Sequence, residues 1–339
     1  MGLVTLGSEA VVRNPIQRGS TIKTATLKLL ALLAALTLLL AACAEEDAAD
    51  EEPVDDDEVE DVEDDVDDDD DVADGGEISI AWIPWEENIA VANMWAVILE
   101  EEGFDVALEQ FDVAPAFAAV AGGDHDLFLD MWLPDTHATY LEEFGDDLET
   151  FGVWYEGATL ELSVPSYVVD EFGIASLEDL AENPDVFDGQ IVGIEAGAGM
   201  MELLREDVMP GYGLDDDFEL VESSTAAMRA DLQAATDAGE PVVVTLWSPH
   251  PEYGLKDLTR LEDPEGLWGE GEVIEAIGRV DFSEDFPQVA SWMEAWFMDE
   301  EELASLNAAI DEADEADYAD VAAAWVADNR DLVDSWLGR

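Results

Sequence analysis

"DLFLDMWLPDTHATY" (Asp126–Tyr140) decides how the chain around it folds. The apolar run Leu127-Phe128-Leu129 leads into Trp132 and reads as a buried strand. Pro134 then breaks the chain, and a polar turn carries His137. An indole and an imidazole therefore stand together where a strand ends. The chain of 339 residues has only three histidines.

The pattern extends outward on both sides. Upstream, "ISIAWIPW" (Ile78–Trp85) is a second buried strand, broken at Pro84. "IAVANMWAVILEEEG" (Ile89–Gly103) has helical apolar spacing and a terminal glycine. "FDVALEQFDV" (Phe104–Val113) is extended, and "APAFAAVAGG" (Ala114–Gly123) is a short helix closed by glycines. Strand and helix alternating at this spacing predict a parallel α/β sheet.

Downstream, "LELSVPSYVV" (Leu160–Val169) is extended, and the pattern then restarts. "QIVGIEAGAGMM" (Gln190–Met201) is a strand running into a glycine turn. "SSTAAMRADLQAATDAGE" (Ser223–Glu240) has a Ser/Thr N-cap and a terminal glycine, so it is a helix. "PVVVTLW" (Pro241–Trp247) is a buried strand, "EVIEAIGRV" (Glu272–Val280) is extended, and the remainder from about Glu284 is helical. Two βα blocks joined by two extended segments predict two lobes with two hinge crossovers, the layout of a protein that closes over a ligand. The expected division is 78–163 with 278–339 in the first lobe, and 164–277 in the second.

Charge narrows the function. The chain carries 86 acidic and 11 basic residues, a formal net charge of −75. A polymer of phosphates would be repelled, which excludes nucleic-acid partners. The acid is not confined to one tail, since 63 acidic residues and only seven basic ones lie beyond residue 77. A folded body that repels itself this strongly suits high salt, where the screening length falls to roughly 3 Å near 1 M.

Residues 1–42 read as a processing segment. Arg13, Arg18, Lys23 and Lys28 precede the apolar run Leu29–Ala42. Its 14 residues fall short of the roughly 20 that a spanning helix needs. It ends in "LAAC", whose Cys43 is the only cysteine, so no intramolecular disulfide is possible. Leucine, two small residues and cysteine resemble the lipobox of bacterial lipoproteins, in which the cysteine thiol is lipidated. Residues 43–77 are dominated by Asp and Glu and are expected to be a disordered spacer. They lack the spacing of a calcium loop.

Most of the 11 tryptophans are expected to be packing residues. Trp95, Trp292, Trp296, Trp325 and Trp336 sit in helical patterns, and Trp82 in a strand. Trp154 and Trp268 fall in predicted loops. Three others share one context. Trp85, Trp132 and Trp247 each follow a predicted buried strand, beside a proline and a polar turn. The carboxyl ends of strands are where open α/β sheets bind ligands. Three indoles on one cleft make a cage for a quaternary ammonium group, which attracts ring faces and cannot donate hydrogen bonds. The turn at Gly197–Met200 offers the opposite pole, since backbone N–H groups entering a helix suit a carboxylate. No Gly-Lys-Ser/Thr follows, so it is not a phosphate loop.

Together "AWIPWEENIAVAN", "GFDVALEQFDVAPAFAAVAGGDHDLFLDMWLPDTH", "GIEAGAGMM", "VESSTAAM" and "VVVTLWSPH" resemble the glycine betaine/proline betaine-binding proteins of osmoregulatory ABC uptake transporters. The resemblance implies an α/β, two-lobed type II periplasmic-binding-protein fold. It implies a prism of Trp85, Trp132 and Trp247 around the trimethylammonium. It implies a carboxylate held by the N–H groups of Gly199 and Met200 and by His137. Partners would be glycine betaine or proline betaine, a permease with its ATPase subunit, and the membrane through a lipid on Cys43. Gram-positive members are lipoproteins, in keeping with that cysteine. A monomer outside the cytoplasm, with no cofactor or metal, is expected. Where the family often has a further tryptophan after "WSPH", this chain has Pro251, and His250 reads as structural.

Two other functions fit the sequence less well. A hydrolase using His137 with Asp130 or Asp135 lacks a nucleophile motif, a free cysteine in the body and zinc spacing. A choline or carnitine receptor would share the cage, but choline has no carboxylate to occupy His137 and the glycine turn.

Overall fold

The computed structural model describes residues 75–339. The expected leader, the lipidation candidate Cys43 and almost all of the acidic spacer lie outside the described residues.

The first lobe starts with β1 (Glu77–Trp82), which pairs in parallel with β2 (Asp105–Gln110) and β3 (Leu127–Leu133). The connections are α1 (Glu86–Glu101) and α2 (Val113–Ala121), as the alternation predicted. In β1 Ile78 and Ile80 are fully buried on one face and Ala81 on the other, while Glu77 at the start of the strand faces water. β3 is buried through Trp132. After α3 (Ala138–Phe144), β4 (Leu148–Pro165) runs for 18 residues.

β4 is the strand that joins the lobes. From Leu148 to Ala158 it pairs antiparallel with β9 (Glu272–Arg279), which also pairs with β3. From Thr159 to Ser163 its partner is β7 (Val244–Ser248) instead. The second lobe adds β5 (Gln190–Val192), β6 (Glu219–Val221) and β8 (Leu258–Arg260). The strand order is β2-β1-β3-β9-β4-β7-β5-β6, with β8 beside β4. Gly152 and Gly157 take positive φ where the β4–β9 register shifts, so the strand bends there without a Cβ in the way.

Strand pairing near the expected lobe boundaries is specific. Hydrogen bonding puts Thr159–Ser163 in the second sheet and Glu272–Ile277 in the first. Alternation along an extended segment records which face is buried, and is silent about which strand lies alongside. The expected extension through Val169 also stops early, because Ser166–Phe172 is helical and buries only Val168.

The second lobe carries α4 (Gly199–Leu203) and α5 (Thr225–Ala238). The Ser224 side chain accepts the Ala227 N–H, and Gly239 closes α5 in the left-handed region. Such a cap contributes about 1 kcal/mol. The chain then returns to the first lobe, where α6 (Pro287–Ala295), α7 (Glu300–Asp311), α8 (Tyr318–Asp328) and α9 (Arg330–Trp336) cover the sheet.

An aromatic cluster anchors that cover. Trp154 stacks on Trp296 at 4.4 Å, and Trp95 meets Trp296 edge-on and Trp336 face-on. Trp154, expected in a loop, lies fully buried in β4, and its indole N–H donates to the Leu129 carbonyl. Among the described residues no helix is long and apolar enough to cross a membrane.

Candidate ligand-binding site

Three strand ends meet at the seam between the lobes. Trp132 lies near the end of β3, Trp247 near the end of β7, and Trp85 caps α1 three residues beyond β1. All three are at least 96% buried, with exposures of 1%, 3% and 4%. They line one cavity with Thr136, Leu160, Ile194 and Met200. Measured to the centres of water-sized spheres it holds about 10 Å³, room for about one water. The ring centroids of Trp85 and Trp247 stand 5.8 Å apart, tilted by 46°. A larger group therefore enters only if these two indoles part, and they belong to different lobes.

The question raised by Trp132 and His137 has a local answer. The Trp132 N–H donates to His137 Nδ1 at 2.9 Å, and the His137 N–H donates to the Trp132 carbonyl at 3.0 Å. The two bonds close the turn through Pro134 and hold the imidazole edge-on to Phe117 and stacked on Trp85 at 5.9 Å. Burial pushes the His137 pKa down to about 3, so the ring is neutral. With Nδ1 accepting, the proton sits on Nε2. That Nε2–H is buried and has no partner among the described residues.

Gly199 opens α4, and the first-turn N–H groups of Gly199 and Met200 have no carbonyl within the helix to receive them. Its glycine identity follows from close approach, because a Cβ there would lie 1.8 Å from the Thr136 carbonyl oxygen. Thr136 belongs to the first lobe and is itself held by the Glu272 carboxyl through its N–H and hydroxyl. Burial pushes Glu272 up to about 7, against the pull of those two donors. Gly197 is reached from across the seam too, since the Tyr140 hydroxyl donates to its carbonyl at 2.9 Å.

Of the residues singled out from sequence, Trp85, Trp132, Met200 and Trp247 line the cavity. His137 and Gly199 stand beside it, one against Trp85 and the other against Thr136. Thr136, Leu160 and Ile194 were not foreseen, and neither were the contacts that two acids make with the indoles. Asp130 accepts the Trp132 indole N–H at 3.0 Å, and Glu87 accepts that of Trp247 at 2.8 Å. Asp130 could have been found, because residues i and i+2 of a strand share a face. Glu87 could not, since it reaches Trp247 across 160 residues of sequence.

A charged knot lies behind Trp247. The Arg229 guanidinium in α5 contacts Glu252 at 2.7 Å, Glu86 at 2.9 Å and Asp311 at 2.7 Å, so it ties the second lobe to α1 and α7 of the first. Burial raises Glu86, but the facing His250 and Arg229 outweigh it and leave the carboxyl below its ordinary range. His250 Nε2 lies 3.2 Å from Glu86 without hydrogen-bond alignment, so this is a contact of charge distribution only. The His250 ring packs edge-on against Trp247 at 4.5 Å, and its Nδ1 accepts the Glu252 N–H.

Two lobes that bring aromatic side chains to one seam cavity define a solute-binding protein working by closure. Residues 76–328 match the family described as the substrate-binding domain of the ABC-type glycine betaine transport system, and the chain belongs to that family. The family is one of transporter substrate-binding proteins, which act outside the cytoplasm.

The chain is 37% identical over 147 residues to the glycine betaine/carnitine transport binding protein GbuC of Listeria monocytogenes. That match spans 43% of this chain and about half, 48%, of GbuC. Lactococcal OpuAC, solved closed with glycine betaine, is similar at 29% identity and a TM-score of 0.71, over 77% of this chain and 99% of that one. An ABC-transporter choline-binding protein solved with choline is similar at 26% identity and a TM-score of 0.71, over 78% and 92%. The fold is accordingly the two-lobed type II periplasmic-binding-protein fold that the sequence resemblance implied.

Proposed function

We propose that this protein is the solute receptor of an ABC importer and captures glycine betaine, or a related betaine, between its lobes. The observation that carries this reading is the convergence of Trp85, Trp132 and Trp247 from both lobes on one cavity. Ring faces attract a trimethylammonium group by about 0.5–2 kcal/mol each, more when water is excluded. The His137 Nε2–H and the N–H groups of Gly199 and Met200 are the donors for the ligand carboxylate. Trp85, Trp132 and His137 come from the first lobe, and Trp247, Gly199 and Met200 from the second. A betaine bridging both sets favours closure, and the closed form is what a permease recognises for delivery.

The remaining features fit a tethered receptor. Cys43 would carry the lipid, and residues 44–74 would space the body from the membrane. The protein acts as a monomer outside the cell membrane, with no catalytic role for His137. Its acidic body suits a saline exterior. Titration of intrinsic tryptophan fluorescence in high salt, with glycine betaine, proline betaine and choline, tests the reading. Saturable binding of a betaine, tighter than choline, is expected. No response to any quaternary amine overturns the cage, and equal affinity for choline and betaine overturns the carboxylate clamp.

A further inference from the structure

Four indole N–H groups have a hydrogen-bond acceptor among the described residues, and these acceptors are of two kinds. Away from the seam, Trp154 donates to a backbone carbonyl and Trp325 to the Ser305 hydroxyl, both neutral acceptors. At the cavity, Trp132 and Trp247 donate to carboxyl groups, Asp130 and Glu87. Both acids are fully buried. Asp130 Oδ2 and Glu87 Oε1 have no partner among the described residues. The nearby guanidinium of Arg229 is engaged by Glu86, Glu252 and Asp311. Orienting an indole requires only a neutral acceptor, and burying a carboxylate without a counter-charge is costly.

We propose that Glu87 and Asp130 are specificity-determining residues of the cage: from behind the indoles they supply the negative charge that selects a cationic head group over a neutral one of the same shape. The inference rests on the betaine reading of the cavity. A carboxylate accepting the indole N–H pushes electron density towards the ring, so the face turned to the ligand becomes more negative. The ligand cation is the missing counter-charge, placed one ring away in a site without bulk water to screen it.

Protons report on this arrangement. Burial raises both carboxyls, Asp130 to about 7, and the neighbouring Asp130 and Glu86 charges raise Glu87 further. The other titratable groups facing the pair are the Tyr155 phenol, which feels Glu87, and the neutral His137. A cation entering the cage favours the ionised acids, so binding near neutral pH releases protons. The ligand carboxylate acts on His137 in the opposite sense, but from a starting value of about 3 that ring takes up little.

The test compares glycine betaine with 3,3-dimethylbutanoate, which has a tert-butyl group in place of trimethylammonium. Calorimetry on the wild type, Glu87→Gln and Asp130→Asn gives both affinities, and buffers of different ionisation heat give the protons released. The amides keep an acceptor for each indole. A preference for betaine that narrows roughly tenfold in either variant, with diminished proton release, is expected. An unchanged preference in both variants overturns the proposal. If one variant does not fold, the other decides, since an unchanged preference in it overturns the proposal. A wild type that binds no betaine refutes the betaine reading itself, which is a distinguishable result.

Discussion

The carbonyl oxygen of Thr136 occupies the space next to Gly199, 1.8 Å from where a Cβ would stand. The two residues belong to different lobes, so their contact exists only when the seam is shut. Gly199→Ala leaves each lobe intact and obstructs closure. Overpacking of this kind costs about 1–3 kcal/mol, which predicts a betaine affinity lower by roughly 5- to 150-fold. Thermal melting of the ligand-free protein should change little, while the upward shift of Tm on adding betaine shrinks. An undiminished ligand-induced shift would show that the seam closes less tightly than the contact requires.

His137 has two jobs that one substitution separates. His137→Ala strands the Trp132 N–H that Nδ1 accepts, which costs about 1–3 kcal/mol of stability. It also removes the donor proposed for the ligand carboxylate. A hydrogen bond to a charged group is worth about 1.5–3 kcal/mol, so betaine binding should weaken roughly 10- to 150-fold. Choline, lacking the carboxylate, should lose much less. Equal losses for the two ligands assign His137 to the scaffold alone.

Arg229 holds three carboxylates, two of them from the other lobe. Arg229→Gln leaves the buried Glu86 without its guanidinium, while Glu252 keeps only Lys256. Breaking such a cluster from one side costs about 3–5 kcal/mol, to be read as a lower urea midpoint. Because the charges are shielded from water, added salt should restore only part of the loss. Full restoration at high salt would mean that the knot is solvated.

The pH dependence of stability should carry the mark of Glu272. Burial raises its carboxyl from 4.5 to about 7 in the folded protein. Between those values the folded state holds a proton that the unfolded state has lost, so stability falls as pH rises through this window and levels off above it. One pKa unit corresponds to about 1.4 kcal/mol, which makes the full effect about 3 kcal/mol. His137 works against it, since its folded value of about 3 lies below the ordinary 6.5 and stability from this group grows with pH up to there. Comparing the Tm of Glu272→Gln with that of wild type isolates the carboxyl. The variant should gain on the wild type as pH is raised from 5 to 8, and a constant difference would place Glu272 in contact with water.

Much of this architecture is legible in local patterns. Apolar spacing located α1, Ser224 and Gly239 marked the ends of α5, and the apolar runs before Trp132 and Trp247 marked β3 and β7. Those signals are local because caps and periodicity act over one or two turns of chain. Trp154 lies in a strand where the sequence predicts a loop, since Gly152 and Gly157 are bends within one long strand. The contact of Gly199 with Thr136 is a second reason for its lack of a side chain, and no local pattern carries it.

The sequence by itself determined the two βα blocks, the acidic body that excludes polyanionic partners, and the short list of indoles at strand ends. Only the tertiary structure decided what those residues meet. Along β4 the partner changes from β9 to β7 between Ala158 and Thr159. The carboxyls behind the cage, Glu87 on Trp247 above all, came from contacts 160 residues apart. Strand pairing and side-chain convergence depend on which surfaces chain closure brings together, and no local pattern in the residues encodes that distance.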